Sequence, residues 1–335
     1  MCLCFCIILL GENRFLFGMN GFSKGSLALL IARTLSGLNV NALGYLLPMW
    51  IAPLSCVSLR LSFGAVVFWI ISLFSTPGKV YWKDRVKLVA LGAAGIFGYM
   101  SLYALSISYT TPVNFAIFNA MQPLWVVVVS AVVYSESVDS RKLMGLAVGF
   151  VGALLCILSE PSASHASNPL LGNMLAIVAS IIYAIYLVFS ARMVGHLPSI
   201  TILRYTFSSG AVASIVVMAI AGFSAPMFEG RFEAVPFLVL LFVLVFPTVV
   251  TYFLIPIGLK YLKSTVVALY GYVTLIVAAF FSFIFGMDRF EPIILLSLVL
   301  IGVSIYLVGA VGGGREEIAD AKKDGDGRGF SEGKI

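Results

Sequence analysis

Ten times between residues 27 and 310 the chain runs for 17 to 24 residues with at most one charged side chain. A bilayer core about 30 Å thick is crossed by roughly 20 helical residues, so each run is long enough to span it. The runs cover 27–48, 54–75, 88–107, 113–134, 143–159, 171–190, 200–223, 236–257, 264–286 and 291–310. Because lipid offers the backbone no hydrogen-bond partner, such runs can only be helices or strands of a closed barrel. Length selects helices, and the fold class read here is an all-α integral membrane protein with ten transmembrane helices.

Composition agrees. Only 11% of the residues are charged and 61% are apolar, against roughly 25% charged in a soluble domain. The net charge of +6 comes from basic residues scattered between apolar runs, so no basic face for nucleic acid is built. The partners expected are the lipid bilayer and a small-molecule substrate, with no cofactor, no metal and no identifiable coupling ion. Cys56 and Cys156 lie inside apolar runs and Cys2, Cys4 and Cys6 crowd the start, which does not make a disulfide framework. The start, "MCLCFCIILLGENRFLF", is too short to span. Its alternating cysteines could bind metal or carry palmitate, but the favoured reading places the true start at Met19.

Lysine and arginine set the orientation, since short cytoplasmic loops retain them. With both termini inside, sixteen of the 21 fall in inside segments and two, Arg231 and Arg289, fall outside. The other three, Arg33, Arg60 and Arg204, lie within spans. This predicts a multi-pass protein of the cytoplasmic membrane. The last stretch, 312–335, is glycine-rich and charged and is read as a disordered cytoplasmic tail.

The chain repeats itself weakly. "APLSCVSLRLSFGA" from Ala52 resembles "HLPSITILRYTFSSGA" from His196, aligning Arg60 with Arg204, 144 residues on. "YTTPVNFAIFNAMQPLWVVVVSAVVYSE" from Tyr109 resembles "YLKSTVVALYGYVTLIVAAFFSFIFGMD" from Tyr261, 152 residues on. The eight-residue difference matches the longer connection "SAPMFEGRFEAVP". Five spans per half is an odd number, so the second half enters from the opposite side: two inverted-topology five-helix repeats around a central cavity, an architecture of secondary transporters. The predicted domains are an N-terminal segment 1–23, a first repeat 24–159, an external linker 160–170, a second repeat 171–311 and the tail.

These features resemble the drug/metabolite transporter superfamily, in particular its ten-span EamA-type family. The resemblance rests on "LSGLNVNALGYLLP", "PLSCVSLR", "NFAIFNAMQPLWVVVVSAVVYSES" and "LKYLKSTVVALYGYVTLIVAAFFSFIFG", in that order. It implies two inverted five-helix halves enclosing a cavity and the movement of small metabolites such as amino acids. The second half departs from the family's pattern, with Leu275 and Asp288 where the first has Pro123 and Glu136. The ninth span is therefore expected to be straighter than the fourth.

Charge narrows the cargo. All fifteen acidic residues lie in loops, tails or span ends, so an exporter of cations built on a buried glutamate has no candidate. The expected cargo is a neutral, zwitterionic or anionic metabolite, moved by alternating access. A membrane-embedded receptor or scaffold and a channel are the alternatives. No hydrolytic constellation or phosphate-cradling loop exists, so the chain is not read as an enzyme.

Candidate cavity residues are polar or aromatic groups inside spans. They comprise Asn39 and Asn41 with Ser36, then Asn119 and Gln122, and the tyrosines Tyr99, Tyr103, Tyr183, Tyr186, Tyr252 and Tyr270. Asn114, Phe118, Trp125 and Tyr272 are weaker candidates. Each asparagine could equally bond a neighbouring helix. The tyrosine pairs at i, i+3 and i, i+4 share a helix face. Pro123 frees the carbonyl of Asn119, and Pro247 predicts a hinge or broken helix. Glycines such as Gly92, Gly95 and Gly98 are read as helix-packing positions. Arg60 and Arg204 are read first as structural or gating residues that bond helix-end carbonyls at opposite faces of the membrane, with direct contact to substrate as the second reading for Arg60.

Overall fold

The computed structural model describes residues 20–47, 49–75, 80–135, 167–229, 233–262 and 264–287, with scattered positions between 140 and 155 and between 296 and 303. Among the described residues there is no strand, and eight helical segments are long and apolar enough to cross a membrane. They correspond to the expected first to fourth and sixth to ninth spans. The fifth and tenth spans fall largely outside the described residues, as do the N-terminal cysteines, the linker 160–166 and the tail.

The helices are α1 (Gly21–Leu46), α2 (Pro53–Leu73), α3 (Trp82–Tyr109), α4 (Pro112–Asn119), α5 (Gln122–Tyr134), α6 (Pro169–Val194), α7 (Ser199–Ala221), α8 (Ala234–Tyr261), α9 (Ser264–Leu269) and α10 (Gly271–Ile284). Local chemistry sets several starts. Proline begins α2, α4 and α6, where its missing N–H and fixed φ do no harm. Thr111 caps α4 by accepting from Asn114 N at 3.3 Å, and Asn168 caps α6 by accepting from Leu171 N at 3.2 Å.

Packing partners are exchanged between the halves. The first span, α1, lies against α8 and α10, while the sixth, α6, lies against α3 and α5. The second and seventh, α2 and α7, pack on each other. Small residues allow the closest approaches. A Cβ on Gly37 of α1 would sit 2.6 Å from Val277 Cβ and 2.8 Å from Thr274 O of α10. One on Gly92 of α3 would overlap the backbone of Thr206 on α7. Both contacts are of the small-residue kind on which helix association in lipid depends.

Two irregularities recur in both halves. The third and eighth spans each carry a π-helical stretch, Leu91–Ile96 and Leu244–Val250. The fourth span breaks at residues 120–121 and the ninth at residue 270. At these breaks the two spans cross, α4 lying on α10 and α5 on α9. The ninth span is thus not straighter than the fourth, and Leu275 does not rule out a break. Tyr270 steps out of the helix with no proline beside it, and Gly271 there faces Gln122, whose Oε1 would be 3.8 Å from an added Cβ. Pro247 likewise gives a π-helical turn inside a continuous helix, not a broken one.

The first helix begins at Gly21, six residues before the expected start. This moves Arg33 from the first turns of the span to the thirteenth of 26 residues, the middle of the helix.

Candidate functional site

At the centre, α1, α2, α3, α4, α6, α8 and α10 enclose a cavity of about 30 Å³, room for a water molecule or two and not for a metabolite. Helical spacing explains what lines it. Arg33, Ser36 and Val40 follow one face of α1 beside Asn39, Tyr99 and Tyr103 stand four apart on α3, and Pro247, Thr251 and Ile255 stand four apart on α8. Arg60, Met100, Phe115, Asn119, Tyr183, Tyr252 and Thr274 complete the wall.

The aromatic side is a stack. Tyr99 lies over Tyr183 with ring centroids 4.4 Å apart, Tyr103 is 5.7 Å from Tyr99, and Tyr186 is 5.7 Å from Tyr183. Such offset contacts favour rigid ring packing. Asn39 Nδ2 donates to the Tyr103 hydroxyl at 2.8 Å, which joins α1 to α3 through the site.

Two arginines, 3% and 2% exposed, share the cavity wall. Arg60 is anchored by a short chain of causes. Pro247 has no N–H, so the carbonyl of Val243 one turn earlier loses its usual donor. Thr248 Oγ1 donates to that carbonyl at 2.8 Å, and its oxygen accepts from Arg60 Nε at 2.9 Å. Arg33 Nη2 donates to the carbonyl of Val267 on α9 at 3.2 Å, and its guanidinium lies 6.0 Å from the Tyr183 ring centre. Neither arginine has a carboxylate partner among the described residues.

Several polar atoms here have no hydrogen-bond partner: Arg33 Nε, Arg60 Nη1, Asn39 Oδ1, Asn119 Oδ1 and both amide atoms of Gln122. Buried polar groups are normally paired, so each such group calls for an explanation. Trp125 Nε1, one turn from Gln122, is unpaired too.

The structure brings Asn39, Tyr99, Tyr103, Asn119, Tyr183, Tyr252, Arg60 and Pro247 to this cavity. It places others elsewhere. Asn41 donates to the carbonyl of Ala278 on α10 at 3.0 Å, a helix-packing role. Tyr186 is buried behind Tyr183, and Gln122 and Pro123 are buried at the break facing α10. Tyr270 is half-buried at the ninth-span break. Arg204 is not the buried counterpart of Arg60: it is half-buried, with its guanidinium 5.1 Å from the rings of Trp69 and Tyr205. Residue reasoning passed over Arg33, Phe115 and Thr274. The signal for Arg33 was its three-residue spacing from Ser36 and Asn39, a polar stripe in an otherwise apolar helix.

A second, polar cleft of about 490 Å³ opens at the helix ends where basic residues gather. Tyr134, Arg192, Lys260 and Ser264 line it, and the Arg192 guanidinium lies 3.3 Å from the Tyr134 ring centre, tying α6 to α5.

An uncharacterized transporter of Bacillus subtilis (strain 168), YyaM, is 28% identical over 171 residues, which cover 50% of this chain and 56% of that protein. An uncharacterized transporter of Archaeoglobus fulgidus is 25% identical over 189 residues, 56% of this chain and 65% of that one. The matches therefore span less than two thirds of these relatives. A solved crystal structure superposes with a TM-score of 0.61 over 87% of this chain and 97% of its own, at 17% identity, and shows a shared fold. The model of the EamA-like transporter family matches twice, over residues 23–158 and 170–310. Matched in both halves and across most of its length, the chain belongs to the EamA-like transporter family.

Proposed function

We propose that the chain is a secondary transporter that moves a small neutral, zwitterionic or anionic metabolite across the cytoplasmic membrane by alternating access, in the direction of export. The observation that carries this is the central cavity, buried, polar and built by both halves. At about 30 Å³ it has room for a water molecule or two, so cargo can pass only if the helices around it move, as they do in alternating access. A constriction of that size favours a carrier over an open channel.

The proposed architecture is ten helices in two inverted five-helix repeats, 24–159 and 171–311. The exchange of packing partners between first and sixth spans supports it, as do the π-helical stretches and crossing breaks that recur in each half. Sixteen basic residues against two support cytoplasmic termini. The basic cleft beside Arg192 and Lys260 would then face the cytoplasm.

Reconstituted into proteoliposomes, the protein should give saturable flux of a labelled metabolite and exchange it against unlabelled material. Absence of saturable or exchangeable flux across a broad metabolite panel would reject the carrier reading.

A further inference from the structure

The transporter reading leaves the cargo's charge open, and the cavity itself narrows it. We propose that the cargo is a small organic anion whose carboxylate is held by Arg33 and Arg60 together. The inference rests on the cavity's being the transport site.

Two guanidinium groups, 3% and 2% exposed, line one cavity. Arginine stays protonated at any physiological pH, so both positive charges are permanent. No acidic residue lies in the interior of any span, and neither arginine has a carboxylate partner among the described residues. An isolated buried charge is strongly unfavourable unless it is paired. Each arginine makes one bond to a neutral oxygen, on Val267 or Thr248, and each keeps a nitrogen, Nε or Nη1, without a partner. The missing partner is an anion, and a planar carboxylate fits the guanidinium fork.

The remaining wall selects among anions. Tyr99, Tyr103, Tyr183 and Phe115 add aromatic surface to the lining, suited to a carbon skeleton, which an inorganic ion lacks. The unpaired Oδ1 atoms of Asn39 and Asn119 are acceptors, suited to a hydroxyl on the same molecule. An ammonium group would find no carboxylate there and would face two guanidinium charges. A hydroxycarboxylate therefore fits better than an amino acid.

The test uses the full-length protein in nanodiscs and lactate, malate and mandelate as probes, against alanine, glycerol, putrescine and inorganic phosphate. The carboxylates should bind by calorimetry, and Arg33→Gln and Arg60→Gln should each weaken binding about tenfold or more, the scale of a hydrogen bond to a charged group. Arg33→Lys and Arg60→Lys keep the charge and should keep the preference for anions at reduced affinity. If the glutamine variants do not fold, the wild-type selectivity and the lysine variants decide. Binding of alanine, glycerol, putrescine or phosphate that no carboxylate displaces would overturn the inference and leave the transporter reading intact. Carboxylate binding that depends on both arginines, with no flux in proteoliposomes, would support the inference and sink the transporter reading.

Discussion

Thr248 shows how much can hang on one hydroxyl. Its hydroxyl donates to the Val243 carbonyl and accepts from Arg60 at the same time, so Thr248→Val leaves a buried cation without that partner while the π-helical backbone still serves the carbonyl. Stranding such a group costs about 1–3 kcal/mol, and a fall in melting temperature in detergent should follow, with binding weakened as for Arg60→Gln. Gly92 makes a sharper test of packing. Gly92→Ala puts a methyl into the backbone of Thr206, whereas at Gly98 the nearest atom to an added Cβ is 3.8 Å away. The first change should destabilise by about 1–3 kcal/mol and the second should leave thermal denaturation nearly unchanged. Equal effects would show that α3 and α7 do not meet as described. At this scale the sequence was legible where a polar residue stood alone among apolar ones, as with Asn39, Asn119 and Arg60. It was less legible for Arg33, whose depth depended on a helix start that no charge or proline marks.

At the scale of elements, proline told half the story. Pro123 sits beside a break, but the ninth span breaks at Tyr270 with no proline beside it. Pro247 widens one turn of α8 without ending it, since the surrounding helices keep the backbone continuous. Restoring the missing donor should separate stability from function. Pro247→Ala lets the carbonyl of Val243 take its α-helical donor at position 247 in place of the π-helical one at 248, which turns Thr248 away from Arg60. Thermal stability should hold or rise, while flux should fall about tenfold, the loss of one charge-assisted bond. Unchanged flux would show that the π-helical turn does not position Arg60. Which face of each helix meets the cavity was harder to read, because most spans are apolar on every side and no stripe marks the interior.

For the whole molecule, the spans were legible because lipid leaves the chain so few choices. The starts of α2, α4, α6 and α7 fall within two residues of expectation. The topology can be checked with single cysteines in a background lacking the native ones. A cysteine at exposed Phe228 should react with a membrane-impermeant maleimide on intact cells, and one at exposed Lys83 should react only after permeabilisation. The reverse pattern would invert the protein.

On the proposal that Arg33, at the middle of α1, holds an anionic cargo, transport is tied to voltage, because the anion carries charge across the membrane. Crossing 100 mV is worth about 2.3 kcal/mol per elementary charge. A monovalent anion leaving an inside-negative cell moves down that field, enough for about a fiftyfold outward gradient with no other energy source. The resting potential would then serve as the driving battery: flux from inside-negative vesicles should exceed that from depolarised ones, and a potential of opposite sign should slow it.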